Sequence, residues 1–308
     1  MTSKCLLNGE FVEDDQLHIS PSDAGFVLGA TVTEQLRTFR GQLFRLAEHL
    51  QRLGNSLNVV GIGLEWSLDQ LAGFAQELVG INRAAIDDGD DLGLCIFATP
   101  GPFATLAGTQ PVKPMLAMHT YPLPFGLWHS HYAMGSRLIV SRHRQVSRDN
   151  WPLDLKCRSR MHYYLADQEV RRHDPDAKAL LLDADGRVSE TSTANVLAYF
   201  EREGLLSPPD ADILPGISLG YVRELADARE IPFRQRRLGS EELASADEVW
   251  LTSTPYCLLP VCRLNDRPIA GGKPGPMFRI MLDAWGQEVG IDISSQAIQF
   301  AERRPENT

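Results

Sequence analysis

Apolar residues recur with period two in some stretches of this chain and at helical spacing in others. "CLL" and "FV" flank Asn8-Gly9, a dipeptide that suits the left-handed turn of a tight hairpin. "TVTEQLRTFRGQLFRL" alternates well enough for two strands turning at Arg40-Gly41. In "AEHLQRLGNSLNVV", Leu50, Leu53 and Leu57 share a helical face. "SLDQLAGFAQELVG" opens on a serine cap and continues as an amphipathic helix. "LGLCIFATPG" and "MLAMHTYPLPFG" predict apolar strands, the second running into a proline-rich connection at residues 120–126.

Beyond that connection, "SRMHYYLADQEVRRH" predicts a helix. "LLLDADGRVSETSTANVLAYF" follows as strands around Asp185-Gly186. "ISLGYVRELADARE" is a helix opened by "LPG", and "EVWLTST" a buried strand ending in hydroxyls. "VCRLNDRPI" predicts a hairpin turning at Asn265-Asp266, and the last clear helix starts near Gly275-Pro276. Strands and helices mix without a βαβ rhythm or an internal repeat. The expectation is α+β: a smaller N-terminal domain over residues 1–120, a linker over 121–131 and a larger C-terminal domain over 132–308.

Composition narrows the function classes. A chain of 308 residues, 43% hydrophobic and 23% charged, can bury one large or two ordinary cores. The formal net charge of −10 argues against a nucleic-acid or anionic-membrane surface. Five scattered cysteines without a Cys-x-x-Cys fit a reduced, cytoplasmic setting rather than a disulfide framework. No signal peptide or membrane-length apolar run is legible, so a soluble intracellular protein is expected.

Candidate chemistry gathers at a few positions. Lys156, in "WPLDLKCRSR", follows strand-like Leu153-Asp154-Leu155 and precedes a helix. A catalytic lysine must spend time as a neutral amine, with its pKa brought down from about 10.4. Its apolar setting and the arginines at 158 and 160 are suited to that. Pro215 to Ser218 form a tight turn entering a helix, where free N–H groups and the helix dipole favour an anion. Thr254 ends a strand with another hydroxyl. His49 and Arg52 lie one helical turn apart. Arg52, the turn and Thr254 therefore suit a phosphate, and there is no glycine-rich nucleotide motif to supply another cradle. Glu190 stands among Thr191, Ser192, Thr193 and Asn195, an unusual end for a strand. His129 and His131 alternate on a possible strand, but no third metal ligand is evident. Arg137, Arg142, Arg144 and Arg148 suit local ion pairing or a funnel for substrate carboxylates.

"EHLQRL", "DLKCRSRMHYYLADQEV", "LLLDADGRVSETSTANV", "ILPGIS" and "LTSTPYCLLPV…GGKPGP" stand in an order that resembles the class IV aminotransferases. These are the fold-type IV pyridoxal-phosphate enzymes, which include branched-chain and D-amino-acid aminotransferases and aminodeoxychorismate lyases. The likeness runs from "LLNGEFV" almost to the end of the chain. It implies a two-domain α+β fold with pyridoxal 5'-phosphate between the domains, and a homodimer. It makes Lys156 the Schiff-base lysine and proton shuttle. Arg52, Ile217, Ser218 and Thr254 then match phosphate-binding positions, and Glu190 matches the partner of the pyridine nitrogen. Asn195 suits support of the turn rather than chemistry.

Departures from the family pattern bear on the substrate. After the lysine, Arg160 and Met161 stand near a position where many branched-chain enzymes carry a tyrosine. Thr33 replaces an aromatic residue before the glutamate of "TVTEQLR", and Pro255 removes an amide after Thr254. Arg37, Thr33, Arg160 and Tyr256 are the substrate candidates, with an exposed strand arginine as the alternative for Arg37. The leading expectation is an aminotransferase moving an amino group between an amino acid or amine and a 2-oxo acid. The alternatives are a lyase of the aminodeoxychorismate type, which releases pyruvate, and a catalytically idle cofactor-binding scaffold.

Overall fold

The structure, a computed structural model, describes residues 3–109 and 112–301. Two compact units divide the chain: residues 1–123 with 155–159, and residues 124–154 with 160–308. The expected division at 121–131 has no counterpart to the return of residues 155–159 to the first unit, and its outer limits, 1 and 308, lie outside the described residues.

In the first unit, β1 (Lys4–Leu7), β2 (Glu10–Glu13), β3 (Val32–Phe39), β4 (Gln42–Leu43), β5 (Leu92–Thr99) and β6 (Met115–Pro122) form one sheet. Its order is β2-β1-β6-β5-β3-β4, with every pair antiparallel. Asn8 and Gly9 turn the first hairpin with φ of 50° and 87°, the left-handed pair that matches strand twist. The helices are a single turn, α1 (Ala24–Val27), and two longer ones, α2 (Leu46–Val60) and α3 (Leu68–Arg83). The Ser67 hydroxyl accepts from the Gln70 N–H, and the Gln70 side chain reaches back, a capping box that starts α3.

Period-two alternation decides what each face of this sheet meets. Val32 and Leu36 of β3, with Leu94 and Ile96 of β5, face Leu50, Leu53 and Leu57 of α2 and Leu71 and Leu78 of α3. Glu34 lies between Val32 and Leu36 in the alternation and is fully buried. Cys95, Phe97 and Ala117 form a separate cluster with Leu17, Met115 and Tyr121.

The second unit is built on β7 (Ser136–Arg144), β8 (Ala177–Leu182), β9 (Val188–Thr191), β10 (Asn195–Phe200), β11 (Gly204–Ser207), β12 (Phe233–Gln235), β13 (Glu248–Ser253), β14 (Cys257–Leu264) and β15 (Arg267–Pro268). The path runs β12-β11-β10-β13-β14-β7-β8-β9, with β15 on β14. β9 also pairs with β10 through Asn195 and Glu190, which closes a ring of strands at the candidate carboxylate. The accompanying helices are α4 (His131–Met134), α5 (Met161–Arg171), α6 (Ile217–Asp227), α7 (Ser240–Ala244), α8 (Pro276–Val289) and α9 (Ile293–Ala301). α5 buries Ala166 and Val170 against Ala177, Ala179 and Leu181 of β8.

Three local expectations are corrected. His131 opens the one-turn helix α4, which ends where Gly135 takes a φ of 76°, so the two histidines do not alternate on a strand. Leu153 and Asp154 form a turn after Pro152 rather than a strand, and the extended pairing begins only at Cys157. A further helix, α9, follows the one that starts at Pro276. Asp292 caps it by accepting from the Ser295 N–H at 2.8 Å, and Ile293, Ala297 and Phe300 supply its buried face.

Candidate active site

Lys156 sits in an extended segment joined to β3. The Thr33 N–H donates to the Lys156 carbonyl at 3.0 Å and the Arg158 N–H to the Thr31 carbonyl at 2.8 Å, on either side of a bridge between Val32 and Cys157. The Lys156 N–H donates to Ser56 Oγ at 3.2 Å, and Ser159 Oγ donates to the Gly29 carbonyl at 2.8 Å. The segment's register is therefore fixed by backbone pairing, while the lysine side chain is half-buried.

Beside it lies a cluster whose centre the sequence did not reveal. Arg52 donates from Nε to Glu34 Oε1 at 2.7 Å and from a terminal nitrogen to Oε2 at 2.9 Å. His49 Nδ1 is 2.8 Å from the same Oε2. Burial would raise the Glu34 carboxyl, but the charge and hydrogen bonds of Arg52, with the contact from His49, outweigh it and hold the group at about 2. Burial pushes His49 below its ordinary value; Glu34 opposes this, while the charges of Arg52 and Lys156 reinforce it. The expected common face of His49 and Arg52 is observed, and both are turned onto Glu34. The available signal was a carboxylate on the core-facing register of an otherwise apolar strand.

Glu190 is the focus of a second cluster. Tyr163 Oη and Gln145 Nε2 each donate to Oε1 at 2.7 Å, and Asn195 Nδ2 donates to Oε2 at 3.2 Å. Both carboxylate oxygens are thus engaged and the group's orientation is fixed. Burial and the negative charge of Glu190 push the Tyr163 phenol up. Tyr163 and Gln145 did not stand out in the sequence, because only packing of α5 on β7 and β8 brings them to β9.

The predicted turn at "PGIS" does enter a helix. Gly216 caps α6, and Ile217 and Ser218 are its first residues, where backbone N–H groups have no partner within the helix. A Cβ on Gly216 would lie 2.0 Å from Asn195 Oδ1, so any other residue there displaces the Asn195 side chain. Asn195 Nδ2 donates to the Leu214 carbonyl at 2.9 Å and so joins this turn to Glu190. Thr254 is half-buried in the turn between β13 and β14. Ile217, Ser218, Thr254 and Glu190 belong to the second unit, whereas Arg52 and Lys156 belong to the first.

The substrate candidates fall into different surroundings. Arg37 is 1% exposed, so the exposed alternative fails; its guanidinium lies 4.0 Å from Asp91 Oδ2 and 4.0 Å from the Phe39 ring centroid. Thr33 Oγ1 donates to the Ile96 carbonyl at 3.1 Å and lies 3.7 Å from Cys95 Sγ. Arg160 donates to the Ser192 carbonyl and lies over the Tyr163 ring. Tyr256 is buried, with Trp128 beside it, and burial pushes its phenol up. Arg137, Arg142 and Arg148 are ion-paired with Asp174 and Asp176, Glu169, and Asp212 respectively, as local pairing required.

The family described as amino-transferase class IV matches residues 31–264. The chain belongs to this pyridoxal-phosphate-dependent family of enzymes. It is 29% identical over 283 residues to the D-alanine aminotransferase of Staphylococcus aureus (strain N315), covering 90% of this chain and 94% of the relative. The branched-chain amino acid aminotransferase of Escherichia coli has a similar fold, with a TM-score of 0.84 at 22% identity over 93% of this chain and 94% of that one. The pyridoxal-phosphate form of the Thermobaculum terrenum branched-chain enzyme gives 0.80 at 18% identity, over 98% and 97%. The α+β class and the aminotransferase reading stand, and these relatives favour it over the lyase. Among the described residues no helix is long and apolar enough to cross a membrane.

Proposed function

We propose that this aminotransferase moves an amino group between an amino acid or amine and a 2-oxo acid, with Lys156 Nζ as the group that carries the proton. The observation that supports this most strongly is a lysine pinned by backbone pairing to β3, beside the Arg52–Glu34–His49 cluster, in a chain of this family. The residues present fit pyridoxal phosphate chemically. The first N–H groups of α6, which carry no side-chain cap, suit a phosphate, and Glu190 is an oriented carboxylate.

Once bound, the cofactor supplies a ring that takes up the electron pair released when the substrate Cα–H bond breaks. Lys156 Nζ would take up the Cα proton as a neutral amine and hold it for return across the amino nitrogen. Glu190 supplies the negative charge for the ring nitrogen. Tyr163 and Gln145 keep its Oε1 from turning away. Arg52, the amides of Ile217 and Ser218, and the Thr254 hydroxyl hold the phosphate. Glu34 keeps the Arg52 guanidinium in one orientation. A cytoplasmic homodimer is the form proposed, and sedimentation equilibrium distinguishes it from a monomer.

Single-turnover stoichiometry tests the reaction. Cofactor-loaded protein, given an amino donor and no acceptor, should release one equivalent of 2-oxo acid per chain and then stop until a 2-oxo acid is added. Continued pyruvate release without an acceptor would mean a lyase. No release with any L- or D-amino acid or simple amine would mean an idle scaffold.

A further inference from the structure

A cavity of about 460 Å³ opens within the first unit, large enough for a small organic ligand. Ile19, Pro21, Phe26 and Phe97 give it apolar walls, and Arg158 is the charged residue among those that line it. Thr31, also in the lining, is the residue whose carbonyl accepts from the Arg158 N–H.

The register of the lysine segment links this cavity to the chemistry. Residues next to an antiparallel bridge lie alongside their neighbours on a common face, and side chains alternate along an extended strand. Because Val32 bridges Cys157, Lys156 lies alongside Thr33 and Arg158 alongside Thr31, both opposite in sense to Cys157. Lys156 and Arg158 are two residues apart on the bridged segment, roughly 6.6 Å at full extension and less with the bend at Arg158, a span two long side chains can close around one small molecule.

Arg158 is also electrostatically unlike its neighbours. Arg52 is paired with Glu34 and Arg37 lies near Asp91. Among the described residues no carboxylate is ion-paired with Arg158, whose guanidinium donates to the Cys95 thiol at 3.2 Å. A thiol is a weak acceptor, so the cation's strong donors are poorly used. An incoming carboxylate would use them, and the guanidinium fork matches it two bonds at a time.

We propose that Arg158 anchors the carboxylate of the amino-acid and 2-oxo-acid substrates while their apolar side chains enter the cavity beside it. This rests on the aminotransferase reading and narrows it. The reacting carbon of an amino acid is bonded directly to the carboxylate, so a cation two residues from the lysine holds that carbon within the lysine's reach. Simple amines offer Arg158 nothing, and acids with an apolar side chain become the favoured class.

Calorimetric titration of the cofactor-loaded protein with 4-methylpentanoate and with 4-methylpentanamide tests the assignment without turnover. The acid should bind at least about tenfold more tightly than the amide, as charge-assisted pairing requires. Arg158→Met should weaken the acid by about the same factor and leave the amide within about threefold; Arg158→Lys should fall between, because charge survives without the fork. Cofactor content and thermal unfolding of each variant separate a lost contact from a lost fold. Ile19→Trp, at a wall residue that is 47% exposed, should weaken 4-methylpentanoate but not acetate. Equal binding of acid and amide, an undiminished acid affinity in Arg158→Met, or no effect of filling the cavity would overturn the proposal. Each could occur with the single-turnover release intact, so the two readings fail separately.

Discussion

A carboxylate with no exposed surface, Glu34, holds Arg52 and His49 together in the first unit. With its folded pKa held at about 2, below the unfolded value near 4.3, it stabilises the fold at pH above the unfolded value and loses that contribution as pH falls toward 2. The difference is worth on the order of 3 kcal/mol. His49, lowered in the folded protein, acts in the same sense: it stabilises while neutral and loses that contribution on acidification. Glu34→Gln should therefore cost roughly 3 kcal/mol at pH 7, leave Arg52 without its counter-charge, and flatten the fall in stability between pH 5 and pH 3. Urea unfolding at those pH values checks it; an unchanged acid slope would show that Glu34 carries no such linkage. The helical spacing of His49 and Arg52 was legible because it is local. Their partner was not, because Glu34 meets them only when α2 packs on β3. The burial of Arg37 was equally illegible: a strand position does not say whether an aspartate far away along the chain, here Asp91, will lie near it.

Hairpins and amphipathic helices were readable wherever a turn dipeptide or an apolar face named them. Asn8-Gly9 and the Asp185-Gly186 turn both fall between the expected strands. The strand drawn through Leu153 failed because Pro152 and Asp154 favour a turn, and α9 was not separately legible because it is a short run, Ile293–Ala301, just past the glycine that ends α8. At the proposed cofactor-binding elements, the closing pair of β9 and β10 and the entry to α6 share Asn195. Gly216→Ala puts a methyl 2.0 Å from Asn195 Oδ1, so Asn195 must shift away from the Leu214 carbonyl and Glu190. Overpacking of this kind costs about 1–3 kcal/mol of stability. Cofactor affinity should fall by roughly tenfold, the equivalent of about 1.4 kcal/mol. Fluorescence titration with pyridoxal phosphate measures this, and wild-type affinity in a stably folded variant would detach the turn from the cofactor.

At the scale of the whole chain, the return of residues 155–159 to the first unit is the feature that no local pattern reported. Period and turn signals describe neighbours in sequence, whereas this return depends on backbone donors of Thr33 and Arg158 finding acceptors far away along the chain. It makes Lys156 part of the unit that holds Arg52, although Arg160 and the helix after it belong to the other. The most direct measurement of its role is borohydride reduction of the cofactor-loaded protein followed by peptide mass spectrometry. Lys156 should carry the reduced cofactor, and Lys156→Ala should carry none while losing transamination. A label on another lysine, or near wild-type turnover in Lys156→Ala, would contradict the assignment.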